Sequence, residues 1–296
     1  MKLEVIIYGE KMEYSIFCGI LNKQIFESSK CDLLEKISNY PDRYIGLFRP
    51  TKPRAKILQN LLQSNEIRFG DALEIVFEKY FEQLGFNILE KRIGDGKEYL
   101  DLDQIFKSKK YIYFMEQKVR DDHDSTKKRG QIGNFEKKIN ALLKIYNEKE
   151  LKCYTYFIDP GLVKNKKYYL QELKKIQSDY NVFTKLCYGK EFWDEIEHPE
   201  IWNELLKYLE RWKKEIPEMP SINFDEDPKS TFMEIKDIEV SIYRKMFNNN
   251  EICKEILPIL FPENKVLLLL DKYFMEKFDQ KSIYKTLSFK IKEIIK

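Results

Sequence analysis

Cysteines are few in this sequence. The five cysteines are widely spaced and form no CxxC pair. This pattern argues against a disulfide scaffold and against a structural zinc site, both of which need clustered cysteines. We therefore expect a reduced, cytoplasmic protein.

Long apolar runs are also missing. The longest, Val266–Leu270, is a handful of residues, whereas a membrane helix needs roughly 20. The N-terminus begins Met1-Lys2-Leu3-Glu4 and soon reaches Glu10, Lys11 and Glu13, so the apolar stretch of a signal peptide is not expected there. Glycine and proline are sparse, at 11 and 10 residues, which excludes collagen-like and low-complexity classes. These absences leave an ordinary globular protein without membrane association.

A strong basic excess is absent too. The chain carries 52 Lys and Arg against 49 Asp and Glu, a net charge of +3 in 296 residues. Proteins that coat nucleic acid without specificity usually have a clear basic excess. Any surface for nucleic acid must therefore be local, and arise from how the charges are distributed.

The pattern of predicted helices and strands changes twice along the chain and defines three regions. A mixed N-terminal region, 1–66, is interrupted by Pro50 and Pro53. A core region, 67–190, alternates helix and strand patterns, and a mostly helical C-terminal region, 191–296, follows. The length also suits one large elaborated domain, so both organisations stay open.

The core region has the pattern of an α/β protein. Apolar residues recur every three or four positions from Arg68 to Leu84, which predicts an amphipathic helix. Two aromatic and apolar runs farther on predict a hairpin. The elements predicted after the first helix are a strand at 86–89, hairpin strands at 99–106 and 111–119, a helix at 131–146 and a strand at 153–158. This order describes a sheet layered with helices.

Acidic residues gather at the ends of the predicted hairpin strands. Asp101 and Asp103 open the first strand, and Glu116 and Lys118 close the second. Side chains alternate faces along a strand, so Glu116 and Lys118 point the same way. The two aspartates likewise share a face. If the strands pair, a carboxylate of the first meets Glu116, and two carboxylates and one ammonium group lie together.

Such a group suits the hydrolysis of a phosphodiester. Two carboxylates can hold Mg²⁺, which takes few protein ligands and keeps its waters for a phosphate. The metal polarises a phosphoryl oxygen and lowers the pKa of a bound water, and a nearby lysine can orient that water. The bland alternative for Glu116 and Lys118 is a solvated strand end. The same E-x-K spacing occurs at 136–138, inside a predicted helix, and at 234–236, without an obvious preceding strand.

The interval from Asp103 to Glu116 and then Lys118 resembles the motif of the PD-(D/E)xK nuclease superfamily. Leu102 stands where that motif has its leading proline, a departure shared by many members. The resemblance implies an α/β (α+β) fold, a restriction-endonuclease-like core whose mixed β-sheet is flanked by helices, with additional helical N- and C-terminal regions. It implies that Asp103 and Glu116 bind the metal and that Lys118 positions the attacking water. Asp101 is expected to replace or assist Asp103.

Many members of the superfamily carry a metal-associated glutamate on the helix before the hairpin. Glu74, which precedes Gly85 on the predicted helix, is the counterpart we choose, with Glu78 as the reserve. The simpler explanation of either residue is the polar side of an amphipathic helix.

The segment that follows the motif, 118–131, resembles stretches of type II restriction endonucleases. This resemblance covers about 68–158. It implies a Mg²⁺-dependent enzyme that acts as a homodimer on double-stranded DNA and cuts both strands at a short site. It also implies a cognate DNA methyltransferase as functional companion.

Polar and basic residues of the same segment are candidates for DNA contact. A helix that begins near 126–131 would favour a phosphate at its N-terminus, with Ser125 or Thr126 as its cap. A solvated loop that caps a helix is the alternative for each residue. For His123, DNA contact or a loop role is favoured over catalysis. The candidates are Arg120, His123, Asp124, Ser125, Thr126, Lys127, Lys128, Arg129 and Gln131.

Two other functions stay open on this sequence. A repair or junction-resolving nuclease with the same core would prefer branched, nicked or single-stranded DNA. A non-catalytic DNA-binding module with a degenerate nuclease fold would bind in a salt-sensitive way without cleavage. The intact set of two acids and a lysine argues against degeneracy.

Overall fold

The structure is a computed structural model that describes residues 12–27, 29–94, 99–277 and 282–296. The helices are α1 Tyr14–Phe26, α2 Ser29–Asn39, α3 Asp42–Ile45, α4 Pro53–Gln83, α5 Ser125–Leu142, α6 Lys166–Tyr180, α7 Lys190–Glu195, α8 Pro199–Glu215, α9 Pro228–Ile235, α10 Val240–Phe247, α11 Leu257–Leu260, α12 Lys265–Glu276 and α13 Ser282–Ile295. The strands are β1 Asn87–Ile88, β2 Arg92–Gly94, β3 Tyr99–Asp101, β4 Gln104–Lys107, β5 Ile112–Lys118, β6 Leu151–Phe157 and β7 Phe183–Tyr188. A π-helical turn, Ile252–Ile256, precedes α11.

The chain divides into two compact units, and each combines separate stretches of the sequence. The sheet unit comprises Met1–Gln24 and Phe69–Ile216, and the helical unit comprises Ile25–Arg68 and Pro217–Lys296. The boundary after Arg68 falls inside α4, so this one helix contributes to both units. Each unit therefore combines residues from more than one of the three predicted regions, 1–66, 67–190 and 191–296. The division into those three regions stays a prediction.

The sheet unit contains a five-stranded mixed sheet in the order β1-β4-β5-β6-β7. β4 and β5 form an antiparallel hairpin in which Gln104 lies opposite Met115. β5, β6 and β7 run parallel, with Glu116 opposite Thr155. α5 and α6 supply the crossovers that parallel neighbours require. The predicted α/β fold with a mixed sheet flanked by helices is confirmed.

The two faces of the sheet carry different aromatic layers because side chains alternate along β5. On one face Phe114 stacks on Phe135 of α5, with ring centroids 5.3 Å apart. On the other face Tyr113 stacks on Phe106, and Phe106 stacks on Phe81 of α4 with centroids 4.0 Å apart. Burial of such rings on both faces fixes the sheet between its helices.

One long helix, α4, extends the helix predicted at 68–84 back to Pro53. The residues from 54 to 67 include neither glycine nor proline, so nothing breaks the helix there. α4 ends where the sequence indicates. Gly85 has φ of 79°, and the N–H of Phe86 donates to the carbonyl oxygen of Phe81 over 3.0 Å. This is a left-handed cap that glycine adopts without strain.

The first run of the predicted hairpin is not a single strand. β3 pairs with β2 in a separate two-stranded sheet, where Asp101 lies opposite Arg92. Only β4 pairs with β5, and Leu102 and Asp103 connect the two sheets. The prediction that Asp101 and Asp103 share a face of one strand is wrong, since side-chain alternation holds only within a continuous strand.

The helical unit has a hydrophobic core of its own. α2 contributes Leu34, α4 contributes Ile57 and α12 contributes Phe274, all of them buried. The partly buried side chains of this unit, among them Ile238 and Tyr273, pack around that core. Within the described residues, no helix of either unit is long and apolar enough to cross a membrane.

Candidate active site

The hairpin of β4 and β5 brings the predicted acidic and basic residues to one end of the sheet. Asp103 immediately precedes β4, and its Oδ2 accepts a hydrogen bond from the main-chain N–H of Gln117 over 2.9 Å. A side-chain acceptor thus continues the strand pairing beyond Gln104. The bond fixes the Asp103 carboxylate at the end of β5, where Glu116 and Lys118 lie.

Four charged side chains form what we call the ion cluster: Asp103, Glu116, Lys118 and Lys138. Lys118 Nζ lies 2.7 Å from Asp103 Oδ2 and 3.1 Å from Glu116 Oε1. Lys138 Nζ lies 2.6 Å from Glu116 Oε2 and 3.5 Å from Asp103 Oδ1. Each ammonium group therefore bridges both carboxylates. The structure brings together the three residues predicted to be catalytic, and their roles stay a prediction.

Opposing effects act on the pKa of the Lys118 ammonium group. Burial by itself lowers this pKa, while the charges of Glu116 and Asp103 and the hydrogen bonds to them raise it. The attraction prevails, and the pKa lies above its ordinary value. Lys118 is therefore protonated at neutral pH, and it acts as a hydrogen-bond donor.

Lys138 is the member of the ion cluster that sequence reasoning missed. In the sequence it belongs to a chance E-x-K match inside a predicted helix. In the structure it is buried on α5, on the same face as Phe135, Ile139 and Leu142. A lysine among the apolar positions of an amphipathic helix is a usable signal, because a charged side chain is almost never fully buried unless it is paired.

The oxygen atoms around Lys118 indicate what this place can hold. Besides the two carboxylate oxygens, the main-chain oxygen of Gln117 accepts a hydrogen bond from Lys118 Nζ over 2.8 Å. Three oxygens from Asp103, Glu116 and Gln117 therefore surround one cationic centre. Hard oxygen donors of this kind suit Mg²⁺, which needs only one or two carboxylates and keeps several waters. Within the described residues, no three His, Cys, Asp or Glu side chains come together as a metal-binding group.

The charges of Asp103 and Lys118 affect the pKa of Glu74 on α4. Burial, followed by the negative charge of Asp103, raises the pKa of Glu74 to about 8, and the positive charge of Lys118 opposes the shift. Gln104 reinforces the connection, since its Nε2 donates to the main-chain oxygen of Glu74 over 2.6 Å. The reserve candidate, Glu78, is instead ion-paired to Lys91, with Oε2 and Nζ 2.5 Å apart. Glu74 is thus the better placed of the two glutamates.

Asp101 does not join the ion cluster. Its side chain is 82 % exposed, and the Nε of Arg92 lies 3.8 Å from Asp101 Oδ1. This position follows from the pairing of β3 with β2. The geometry therefore favours Asp103 over Asp101 as the carboxylate that works with Glu116.

A second buried carboxylate, Asp121, lies just after the motif, and sequence reasoning did not single it out. Its Oδ2 accepts hydrogen bonds from the N–H of Asn165 at 2.8 Å and the hydroxyl of Tyr188 at 2.9 Å. Its Oδ1 accepts from Asn165 Nδ2 at 2.9 Å. We call these three residues the Asp121 network. The network ties the segment after Lys118 to the start of α6 and the end of β7.

The N-terminus of α5 differs from the prediction. Asp124, rather than Ser125 or Thr126, is the cap, and its Oδ1 accepts from the N–H groups of Thr126 at 2.9 Å and Lys127 at 2.8 Å. These N–H groups are therefore already bonded, and a carboxylate at this end repels an anion. The predicted phosphate site is not formed by the N–H groups of Thr126 and Lys127.

Two of the DNA-contact candidates are anchored within the protein. Lys128 Nζ donates to Asn165 Oδ1 over 3.1 Å and lies 4.6 Å from the ring centroid of Tyr168. The side chain of Gln131 accepts a hydrogen bond from the hydroxyl of Tyr169. These contacts connect the N-terminal half of α5 to Asn165 and to α6.

The remaining candidates are partly buried or exposed. His123 is partly buried, and its Nδ1 has no hydrogen-bond partner within the described part of the chain. Burial, followed by the charge of Lys127, lowers the pKa of His123, so its ring is neutral at pH 7. Arg120 is partly buried, and the exposed candidates are Asp124, Ser125, Thr126, Lys127 and Arg129.

A comparison with known families matches the part of the chain that contains this site. Residues 78–213 match the family model of the type II restriction endonuclease HinfI. The resemblance to type II restriction endonucleases is thereby confirmed, and the family is one of DNA-cleaving hydrolases. A search of curated proteins gives no match. The stretch similar to HinfI contains the whole ion cluster and the Asp121 network, whereas Glu74 lies just before it.

Proposed function

We propose that the chain is a type II restriction endonuclease that cleaves double-stranded DNA at a short specific sequence, with Mg²⁺ as cofactor, and leaves double-strand breaks. The main support is the set of oxygens from Asp103, Glu116 and Gln117 that converges at the end of β5. This set coincides with the motif that resembles the PD-(D/E)xK superfamily. It also lies inside the stretch similar to HinfI.

In this proposal each member of the site has a definite part. Asp103 and Glu116 hold Mg²⁺, with the carbonyl of Gln117 as a further donor and Glu74 beside them. The chemistry that the ion supplies when bound is polarisation of the phosphoryl oxygens and a lower pKa for a bound water. Lys118 donates a hydrogen bond that orients the attacking water, and its charge offsets the negative charge that develops on phosphorus. Lys138 keeps Glu116 and Asp103 in register with each other.

The segment after the motif contacts the DNA. Lys127 and Arg129 are exposed basic residues on the first turns of α5. In the sequence they lie between Lys118 and Lys138 of the ion cluster. They bind the phosphate backbone, whereas side chains such as Ser125 and Gln131 are of the types that also contact base edges. The Asp121 network holds this segment in place.

Two partners complete the proposal. Cutting both strands of a duplex at one site takes two hydrolysis events on strands of opposite direction, and a homodimer of this chain supplies one ion cluster for each. An enzyme that cuts a short sequence would also cut the DNA of its own cell. A cognate methyltransferase that modifies the site is therefore its functional companion.

Digestion of a fully sequenced genome tests the proposal. With Mg²⁺ we expect discrete fragments whose sequenced ends share one short site. The variant Lys118→Ala should cleave plasmid DNA at least about 100-fold more slowly, because one charged donor to the reacting group is lost. Lys109→Ala is the matched control, since Lys109 is exposed at the opposite end of the same hairpin. Full activity of Lys118→Ala would refute the assigned role, and a preference for branched or nicked DNA would favour a repair or junction nuclease.

A further inference from the structure

A tight turn of the helical unit presents two large apolar side chains to solvent. Leu47 is 90 % exposed and Phe48 is 99 % exposed, the highest value for a large hydrophobic residue in the described part of the chain. They are the two central residues of a turn that the N–H of Arg49 closes by donating to the carbonyl oxygen of Gly46 over 3.2 Å. We call residues 46–49 the Leu-Phe turn.

The Leu-Phe turn is held on a firm base. Tyr44, two residues before it, is almost completely buried in the core of the helical unit. The N–H of Gly46 donates to the carbonyl oxygen of Asp42 over 3.2 Å. A Cβ at Gly46 would lie 2.6 Å from that same oxygen, so a glycine is needed for the close approach. Leu47 and Phe48 therefore project from an ordered element.

Leucine and phenylalanine are unusual at the centre of a turn. Glycine, proline, asparagine, aspartate and serine dominate such positions, because they satisfy the turn backbone or fix its angles. A single exposed apolar residue needs no explanation. Two adjacent ones at the tip of an ordered turn are better explained by a partner that covers them.

The charges around the Leu-Phe turn indicate the chemistry of that partner. Between positions 42 and 56 there are five basic residues and a single acid, Asp42, although the whole chain is nearly balanced. Arg49 follows Phe48 directly and is exposed. The guanidinium of Arg43 lies 4.6 Å from the ring centroid of Tyr40. The exposed basic residues are Arg43, Arg49, Lys52 and Arg54.

We propose that the Leu-Phe turn is a second DNA-binding element, which inserts Phe48, supported by Leu47, between base pairs of a duplex while the flanking basic residues bind its phosphates. This inference rests on the proposed function for its ligand. Apolar wedges flanked by cationic residues suit duplex DNA, because the wedge stacks on bases and the charges meet the backbone. The turn lies outside the stretch similar to HinfI.

A DNA-binding measurement tests this proposal. Fluorescence anisotropy, without divalent metal, measures the affinity of the full-length protein for a pool of random-sequence 40-base-pair duplexes. The double variant Leu47→Ser/Phe48→Ser should bind about tenfold more weakly, since base stacking on an aromatic side chain is lost. Phe48→Trp should retain the binding of the wild type in an otherwise unchanged chain. The matched control is Phe289→Ser, because Phe289 is 57 % exposed on α13 of the same unit.

The outcomes separate this proposal from the proposed function. Wild-type binding and cleavage together with an unaltered affinity of the double variant would overturn the Leu-Phe turn as a DNA element and leave the nuclease standing. The Leu-Phe turn is equally overturned if the double variant dissociates a dimer in light scattering but binds DNA normally, because a second copy is then the partner. A wild-type protein that neither binds nor cuts DNA would overturn both proposals.

Discussion

Two buried carboxylate sites lie a few residues apart in the sheet unit, and they are satisfied in opposite ways. In the ion cluster, Glu116 and Asp103 are bridged by the ammonium groups of Lys118 and Lys138. In the Asp121 network, one carboxylate accepts three hydrogen bonds, all from neutral groups. Glu116 and Asp121 are both buried, yet among the described residues the ion cluster pairs its carboxylates with ammonium groups and the Asp121 network does not.

The ion cluster contains a cation that another cation can replace. The Asp121 network is instead satisfied by neutral hydrogen-bond donors. The side chain of Lys118 is flexible and 30 % exposed, so its ammonium group can withdraw and let another cation take its place. Main-chain N–H, amide and hydroxyl donors are fixed by the fold, and they already satisfy the acceptors that they face. The ion cluster is thus suited to binding and chemistry, whereas the Asp121 network is suited to holding a loop. Three substitutions test this comparison.

The largest effect is expected when the ion cluster loses its buried cation. Lys138→Met should lower the free energy of unfolding in metal-free buffer by about 3 kcal/mol, because the buried carboxylate of Glu116 and the partly buried one of Asp103 lose a partner. Added Mg²⁺ should restore more of this loss than it adds to the wild type, since the ion replaces the missing charge. Chemical denaturation with and without Mg²⁺ measures both quantities.

Lys137→Met is the matched control for that experiment. Lys137 precedes Lys138 on α5 but is exposed, so its removal should change the free energy of unfolding by less than about 0.5 kcal/mol. If Lys138→Met is as stable as the control in metal-free buffer, the ion cluster does not depend on this lysine, and the comparison fails.

A smaller effect is expected from the Asp121 network. Asp121→Asn keeps the shape of the side chain but turns an amide nitrogen toward one of the three donors. The free energy of unfolding should fall by about 2 kcal/mol, and Mg²⁺ should restore none of it. Recovery of this variant with Mg²⁺ would show that the two carboxylate sites are not distinct. Denaturation under the same two conditions gives the answer.

The smallest effect concerns Glu74 and depends on pH. The pKa of Glu74 is raised from 4.5 in the unfolded chain to about 8 in the folded one, so between these values the folded state binds the extra proton. Stability from this group is fully present below about pH 4.5 and is lost as the pH rises through about 8. Without metal, Glu74→Gln should therefore be more stable than the wild type at pH 8.5, by on the order of 1 kcal/mol, and nearly equal at pH 5.

Thermal unfolding across this pH range in metal-free buffer checks the Glu74 prediction. Glu82→Gln on the same helix is the control, because Glu82 is exposed and ion-paired to Lys79. It should keep the pH dependence of the wild type. A Glu74→Gln variant with the same pH dependence as the wild type would contradict the raised pKa.

Local patterns made much of the sheet unit predictable. The helix that ends at Gly85, the strand β5 and the strand β6 follow from periodicity and turn residues within a short window. The motif of two acids and a lysine is likewise contained in a short stretch, with Asp103 before the hairpin turn and Glu116 and Lys118 after it. Because strand side chains alternate, the meeting of Glu116 and Lys118 on one face could be predicted before the structure.

The errors and omissions have non-local causes. The break at Leu102 depends on β2, which takes β3 as its partner. Lys138 is informative only once it is known that Glu116, 22 residues earlier, faces α5. The donors to Asp121 lie 44 and 67 residues away. β7 does not emerge from the sequence, because its short run, 183–188, gives no signal stronger than that of a loop beside a helix.

Helix α5 makes length, rather than composition, the constrained property of one stretch of the chain. The helix begins at the cap Asp124 and carries Lys138 into the ion cluster. Each inserted or deleted residue would rotate everything beyond it by about 100° and shift it by about 1.5 Å along the axis. Lys138 would then point away from Glu116. Between these two positions a substitution on the exposed side leaves the ion cluster in place, whereas an added or removed residue would displace Lys138 from it.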